Sequence, residues 1–450
     1  MRYVSTRGGG EPLGFEQVLL QGLAPDGGLY LPEEWPSLPE GWHQMRYSQL
    51  AAAMLEPFVA PDPLADDLET ICDQAYRSFR HPEVTPLRAL RGDALLELFW
   101  GPTWSFKDLG LAVVGRMLAT VLARQGRRAV VLGATSGDTG AAAISACAGL
   151  PGVGVVILYP AGRVTEVQRR QMTTVAEDNV WAVEVAGTFD DCQSLVKQAF
   201  AEVGVAAEEL VAVNSINWGR VAAQIVYYAW AAARTDGAPD VAVPTGNFGN
   251  VFAGWCAKQM GVPLHQLLVA NNRNHLISDL LMSGRIEPEP VTPTVAPAMD
   301  VGVPSNLERY LFEVAGRNPE RLEAIRKSGS VGATELGAMR EDLRCGWAAD
   351  EAALSTIRDV FEHDGLLIDP HTAIAWQVGR RLRSPGRPLV VLATADVAKF
   401  GPAVEAAIGH EPPVREEVAA LLAKPERVTR IDSSMVELRP LLRLATDGFA

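Results

Sequence analysis

The chain alternates between short apolar runs and stretches whose apolar residues recur at helical spacing. Residues 94–100, 129–133, 153–159, 181–185, 210–213, 240–244, 267–270 and 389–393 read as buried strands. Residues 107–124, 140–148 and 221–233 read as helices. Another helix opens at Thr188-Phe189-Asp190-Asp191, with Thr188 placed to cap it. Strands that are apolar throughout and alternate with helices predict an α/β protein of open, mostly parallel sheets with helices on both faces. The pattern weakens at both ends and in one interior stretch. Residues 1–90 are rich in Pro, Gly and aromatics, with helical patterns over 15–21 and 66–79. Residues 277–365 are irregular, with Pro-rich loops near 287–304. The predicted organisation is a small N-terminal unit (1–90), a region of two α/β lobes (91–410) and a peripheral tail packed on the core (411–450).

Composition narrows the function more than the fold. A chain of 450 residues suits two or three packed units. The net charge of −14 argues against a nucleic-acid-binding surface. No apolar run is long enough to span a bilayer, and none follows the first basic residues as in a secretory leader. The expectation is a cytoplasmic protein. Cys72, Cys147, Cys192, Cys256 and Cys345 are scattered, with no C-x-x-C pair, so they read as reduced packing residues and no metal site is expected. Of the 40 basic residues only six are lysines, Lys107, Lys197, Lys258, Lys327, Lys399 and Lys424. Arg cannot stand in for Lys where an amine must lose its proton and form an imine. Each lysine is therefore a candidate, although Lys197 and Lys258 fit solvated helix faces.

In open parallel sheets ligands gather at the carboxyl ends of strands. Four segments fall there. In Gly101-Pro102-Thr103-Trp104-Ser105-Phe106-Lys107-Asp108, the lysine sits at a loop-to-helix junction beside aromatic residues. Desolvation there lowers a lysine pKa and makes a better nucleophile and base. The segment Gly133-Ala134-Thr135-Ser136-Gly137-Asp138-Thr139-Gly140 offers amides and hydroxyls for a carboxylate or phosphate, and also reads as a plain Gly-rich turn. Pro244-Thr245-Gly246-Asn247-Phe248-Gly249-Asn250 has glycines three apart ahead of a helix, which lets the backbone wrap an anion. In Thr394-Ala395-Asp396-Val397-Ala398-Lys399, the Thr394 hydroxyl suits a neutral ring nitrogen, and Lys399 reads either as an anion ligand or as the start of a helix.

Together these segments resemble the threonine synthase family of pyridoxal-phosphate enzymes, of the fold type II class that includes tryptophan synthase β and serine dehydratase. The resemblance spans nearly the whole chain. It runs from Tyr3-Val4-Ser5-Thr6-Arg7-Gly8 and Pro25-Asp26-Gly27-Gly28-Leu29-Tyr30, through Phe106-Lys107-Asp108, Ala134-Thr135-Ser136-Gly137-Asp138-Thr139-Gly140, Asn214-Ser215-Ile216-Asn217 and Gly246-Asn247-Phe248-Gly249, to Asp369-Pro370-His371-Thr372-Ala373. It implies that Lys107 carries pyridoxal 5'-phosphate as a Schiff base and shuttles protons. It implies that Gly246, Asn247, Phe248, Gly249 and Asn250 cradle the cofactor phosphate and that Thr394 meets the pyridine nitrogen. Ser136, Gly137, Asp138 and Thr139 would receive the substrate, with Arg163 and Asn217 as further substrate-side candidates. The implied reaction converts O-phospho-L-homoserine and water to L-threonine and phosphate. The implied partners are a small amino-acid substrate, no nucleic acid and no membrane, in a monomer or homodimer.

Several motif positions depart from the family's usual residues: Trp100, Trp104-Ser105, Asn250, the segment Ala270-Asn271-Asn272-Arg273-Asn274-His275, and Asp396-Val397. A carboxylate at Asp396 would repel a substrate phosphate if it faced the pocket. The departures therefore raise two alternatives: a diverged paralogue acting on another amino acid, or a catalytically silent homologue.

Overall fold

The computed structural model describes residues 1–201 and 210–447. The last three residues of the expected tail, 448–450, lie outside the described residues. Two mainly parallel sheets organise the chain. The larger has six strands, in the order Leu343–Trp347, Leu267–Asn271, Asp240–Pro244, Leu389–Ala393, Asp93–Glu97 and Leu87–Leu90, all parallel except the last pair. The second has five parallel strands, in the order Thr429–Asp432, Val180–Ala186, Val153–Pro160, Ala129–Ala134 and Leu210–Val211. Val153–Pro160 is buried along its whole length, as a strand covered on both faces must be.

The helix Trp218–Ala232 is likewise buried at every residue. It packs against the helices Tyr47–Val59, Lys107–Gln125 and Gly249–Gln259, so its sequence is apolar nearly all round. The first residues join the same core. Tyr3–Ser5 pairs antiparallel with Tyr30–Pro32, and the buried Tyr3 hydroxyl accepts from Trp218 Nε1 at 3.1 Å and donates to the Phe58 carbonyl at 2.8 Å.

Two segments differ from the sequence expectation. The irregular stretch 277–365 contains the edge strand Leu343–Trp347. Only Leu343 and Gly346 of it are buried, so it carries no apolar run to read. The tail is less peripheral than expected: Thr429–Asp432 adds the outer strand to the five-stranded sheet, and the helix Met435–Asp447 buries Leu438, Leu442 and Ala445.

Candidate active site

Three strand-to-loop crossings of the larger sheet meet at one place. Phe106 N–H donates to the Thr394 carbonyl at 2.9 Å, Leu98 N–H to the Ala393 carbonyl at 2.9 Å and Asp396 N–H to the Trp104 carbonyl at 3.0 Å. These bonds lace the lysine loop to the Thr394 loop. Asp108 anchors the lysine loop from within, accepting from Thr103 N–H at 2.8 Å and from its hydroxyl at 2.5 Å. Lys107 then begins the helix Lys107–Gln125 and faces a cavity that Thr139, Gly246 to Asn250, His371 and Thr394 also line.

The Lys107 ammonium lies 3.1 Å from Asp138 Oδ2 and 5.0 Å from the Phe106 ring centre. Burial lowers its pKa; Asp138 opposes that, while Lys399 and Arg220 add to it. Asp138 Oδ1 meets Lys399 Nζ at 2.7 Å and Gln168 Nε2 at 2.9 Å. Burial alone would raise the Asp138 carboxyl, but the two lysines outweigh it and hold the group well below the usual carboxylate range. Lys399, with no exposed side-chain surface, also donates to the Thr103 carbonyl at 2.7 Å. Its role is thus to neutralise Asp138 and tie it to the lysine loop.

The loop before Asp138 is built for close approach. Gly137 has φ 139°, and a Cβ there would fall 2.4 Å from the Gln168 side chain. The Thr135 hydroxyl accepts from the amides of Gly137 at 3.0 Å and Gly140 at 2.9 Å. Across the cavity, Phe248 at φ 64° turns the chain into the helix Gly249–Gln259, whose first amides have no intrahelical acceptor. Gly246 passes so close to the neighbouring backbone that a Cβ would lie 2.2 Å from the Ala298 carbonyl. Asn306 secures this loop, donating from Nδ2 to the carbonyls of Asn247 at 3.2 Å and Ser215 at 3.0 Å. Arg309 holds Asn306 in turn, at 2.5 Å. Asn250 Oδ1 accepts from Tyr227 and Tyr228, which turns its buried, unpartnered Nδ2 to the other side.

Not every sequence candidate reaches this cavity. Asn217 is fully buried and caps the helix Trp218–Ala232 through Gly219 N–H at 3.0 Å, while its Nδ2 donates to the Leu19 carbonyl at 3.1 Å. It positions the helix rather than lining the cavity. Arg163 and Ser136 are exposed and are not among the cavity's lining residues. Asp396 faces a separate depression, where Arg415 Nη2 pairs with it at 2.9 Å. Its charge is neutralised there, so the expected repulsion of a substrate phosphate does not arise. Trp100 lines the same depression, bonded to Glu97 Oε2 at 2.9 Å, and Arg80 lies over both Trp100 and Trp104.

The sequence reading missed Arg220, Gln224, His371 and the Asn306–Arg309 pair. A charged residue and an amide four apart in an otherwise apolar helix were the available signal for Arg220 and Gln224. His371 bonds Asp369 Oδ1 through Nδ1 at 2.7 Å and accepts from Ala298 N–H at 3.2 Å.

A lysine with lowered pKa, an amide-rich helix start and a hydroxyl opposite them fit pyridoxal phosphate. Comparison with known proteins agrees. Residues 2–76 match the model of the threonine synthase N terminus, 81–394 that of pyridoxal-phosphate dependent enzymes and 372–440 that of the threonine synthase C-terminal region. The chain is 44% identical to a threonine synthase of Pseudomonas aeruginosa, over 98% of this chain and 97% of that protein. This chain belongs to the threonine synthase family. A crystal structure of threonine synthase from Brucella melitensis with pyridoxal phosphate bound superposes with a TM-score of 0.95 at 42% identity, covering 99% of both chains. The yeast threonine synthase structure gives 0.93 at 32% identity, again over 99% of both. The family's cofactor is pyridoxal 5'-phosphate, and the fold is the fold type II arrangement. Among the described residues no helix is long and apolar enough to cross a membrane.

Proposed function

We propose that this protein converts O-phospho-L-homoserine and water to L-threonine and phosphate, using pyridoxal 5'-phosphate held on Lys107. The observation that carries this reading is the full-length likeness to threonine synthases together with a buried lysine of lowered pKa facing this chain's cavity. Gly246 to Asn250 hold the cofactor phosphate at the start of a helix, and Thr394 presents a hydroxyl that suits an uncharged ring nitrogen. Bound there, the cofactor supplies an electron sink for carbanions beside the substrate amino group.

Lys107 does the proton work. Its Nζ takes the proton from substrate Cα, and burial, by lowering its pKa, favours the neutral amine that does so. A proton is then lost from Cβ, the Cγ–O bond breaks and phosphate leaves. Cγ gains a proton to become the methyl group, water adds its hydroxyl at Cβ, and Lys107 Nζ returns a proton to Cα to complete threonine. Asp138 stays ionised throughout, because Lys399 neutralises it when Lys107 does not. Thr139 and the tight turn at Gly137 orient the substrate. The protein works as a monomer or homodimer in the cytoplasm.

The test is to supply cofactor-loaded protein with O-phosphohomoserine and follow phosphate and threonine together. Equal release of both is the expected result. Phosphate without threonine, or neither product from a protein that binds cofactor, would overturn the assignment.

A further inference from the structure

Arg220 is a buried cation without a counter-ion. It is 3% exposed, no ion pair reaches it among the described residues, and its Nη1 donates to the Val213 carbonyl at 3.0 Å. Its Nε has no partner at all. Burial lowers its pKa to about 10. A guanidinium taken out of water is costly unless an anion meets it. One turn further along the same helix, Gln224 is also buried, and its Oε1 is unpartnered. Both residues line the cofactor cavity, beside Asn250 with its own unpartnered Nδ2.

Besides the helix-start amides, no other side-chain cation is free among the described residues to balance a phosphate in the cavity. A phosphate monoester carries about −1.5 to −2 charges at neutral pH. The loop from Gly246 to Asn250 contains no cationic residue. Of the other groups lining the cavity, Lys107 is committed to the cofactor carbonyl, and His371 has both ring nitrogens occupied, Nε2 accepting from Ala298 N–H and Nδ1 bonded to Asp369. Among the described residues no carboxylate lines the cavity. The segment leading into the Arg220 helix is also joined to the phosphate loop, since Asn306 bonds both the Ser215 and Asn247 carbonyls.

We propose that Arg220, supported by Gln224, is the counter-ion of the cofactor's 5'-phosphate and completes the cradle formed by Gly246 to Asn250. The inference rests on the cofactor site described above and not on which amino acid is the substrate. It is tested on apoprotein titrated with pyridoxal phosphate and, separately, with pyridoxal, which lacks the phosphate, by following the absorbance of lysine-bound cofactor. Arg220→Met weakens pyridoxal phosphate at least about tenfold, the loss expected for one charge-assisted hydrogen bond, beyond the small change it makes to pyridoxal through Lys107. Arg220→Lys recovers part of the loss, and Gln224→Ala gives a smaller loss of the same selectivity. Equal weakening of both ligands makes Arg220 a packing residue and overturns the proposal. So does unchanged pyridoxal phosphate affinity with a raised KM for O-phosphohomoserine, which assigns Arg220 to the substrate phosphate instead. If Arg220→Met does not fold, Gln224→Ala decides by the same two titrations. Absence of threonine formation by the parent protein would refute the proposed reaction but leave these cofactor affinities interpretable.

Discussion

At the scale of single residues, the active-site chemistry is set by three charges in a row. Lys107, Asp138 and Lys399 alternate in sign at 3.1 and 2.7 Å, all largely out of water. Lys107→Ala removes the base and the cofactor attachment together. Turnover should fall by at least roughly 10²–10⁴-fold, and the absorbance of lysine-bound cofactor should vanish; full activity would refute the role. The partners tune Lys107 in opposite directions. Its pKa is lowered by burial, raised by Asp138 and lowered again by Lys399 and Arg220. Cofactor uptake needs the neutral amine, so its rate should rise with pH and level off below the pH at which an ordinary lysine titrates. Asp138→Asn removes the raising influence and should move that midpoint to lower pH. Lys399→Met removes a lowering one and should move it up. Stopped-flow uptake by apoprotein across a pH series reads both, and shifts of the same sign would contradict this charge arrangement. Lys399→Met also leaves a buried carboxylate with one partner fewer, at a cost of about 3–5 kcal/mol in stability, visible in thermal unfolding.

At the scale of elements, the strand-to-loop-to-helix crossings were the most legible part of the sequence, because each joins an apolar run to a glycine-bearing turn. Asp240–Pro244 and Leu389–Ala393 match their predicted limits, and the loops after them line the cavity. Arg220 stayed hidden because the predicted helix began one residue later, at 221, where the unbroken apolar stretch begins. Asp396 misled because a residue's side of a loop depends on tertiary pairing: only Arg415, nineteen positions away, shows that it faces elsewhere. The phosphate loop gives a sharp test of element geometry. A methyl group at Gly246 would sit 2.2 Å from a backbone carbonyl that has little freedom to move. Overpacking of this kind costs about 1–3 kcal/mol. Gly246→Ala should therefore weaken pyridoxal phosphate roughly 5- to 150-fold in equilibrium dialysis. Gly401→Ala, where a Cβ meets open space, should leave it unchanged.

At the scale of the whole molecule, the five-stranded sheet is closed by the end of the chain. Its outer strand, Thr429–Asp432, pairs in parallel with Val180–Ala186, and the following helix covers one face of the sheet. Sequence alone suggested a peripheral tail because this strand is short and half polar, as an exposed edge tends to be. Yet Ile431, Leu438 and Leu442 are buried in one cluster with Val130, Leu132, Val156 and Leu158. Each such side chain contributes about 1.5–3 kcal/mol by leaving water. The cofactor cavity lies among other residues, and no described residue beyond 410 lines it. Truncation after residue 410 should therefore act through folding: less soluble protein, a lower unfolding temperature and exposed apolar surface that binds a hydrophobic dye. The soluble fraction should still take up pyridoxal phosphate with near-parental affinity. If that fraction unfolds at the parental temperature but cannot hold cofactor, the tail acts on the site and not on the sheet.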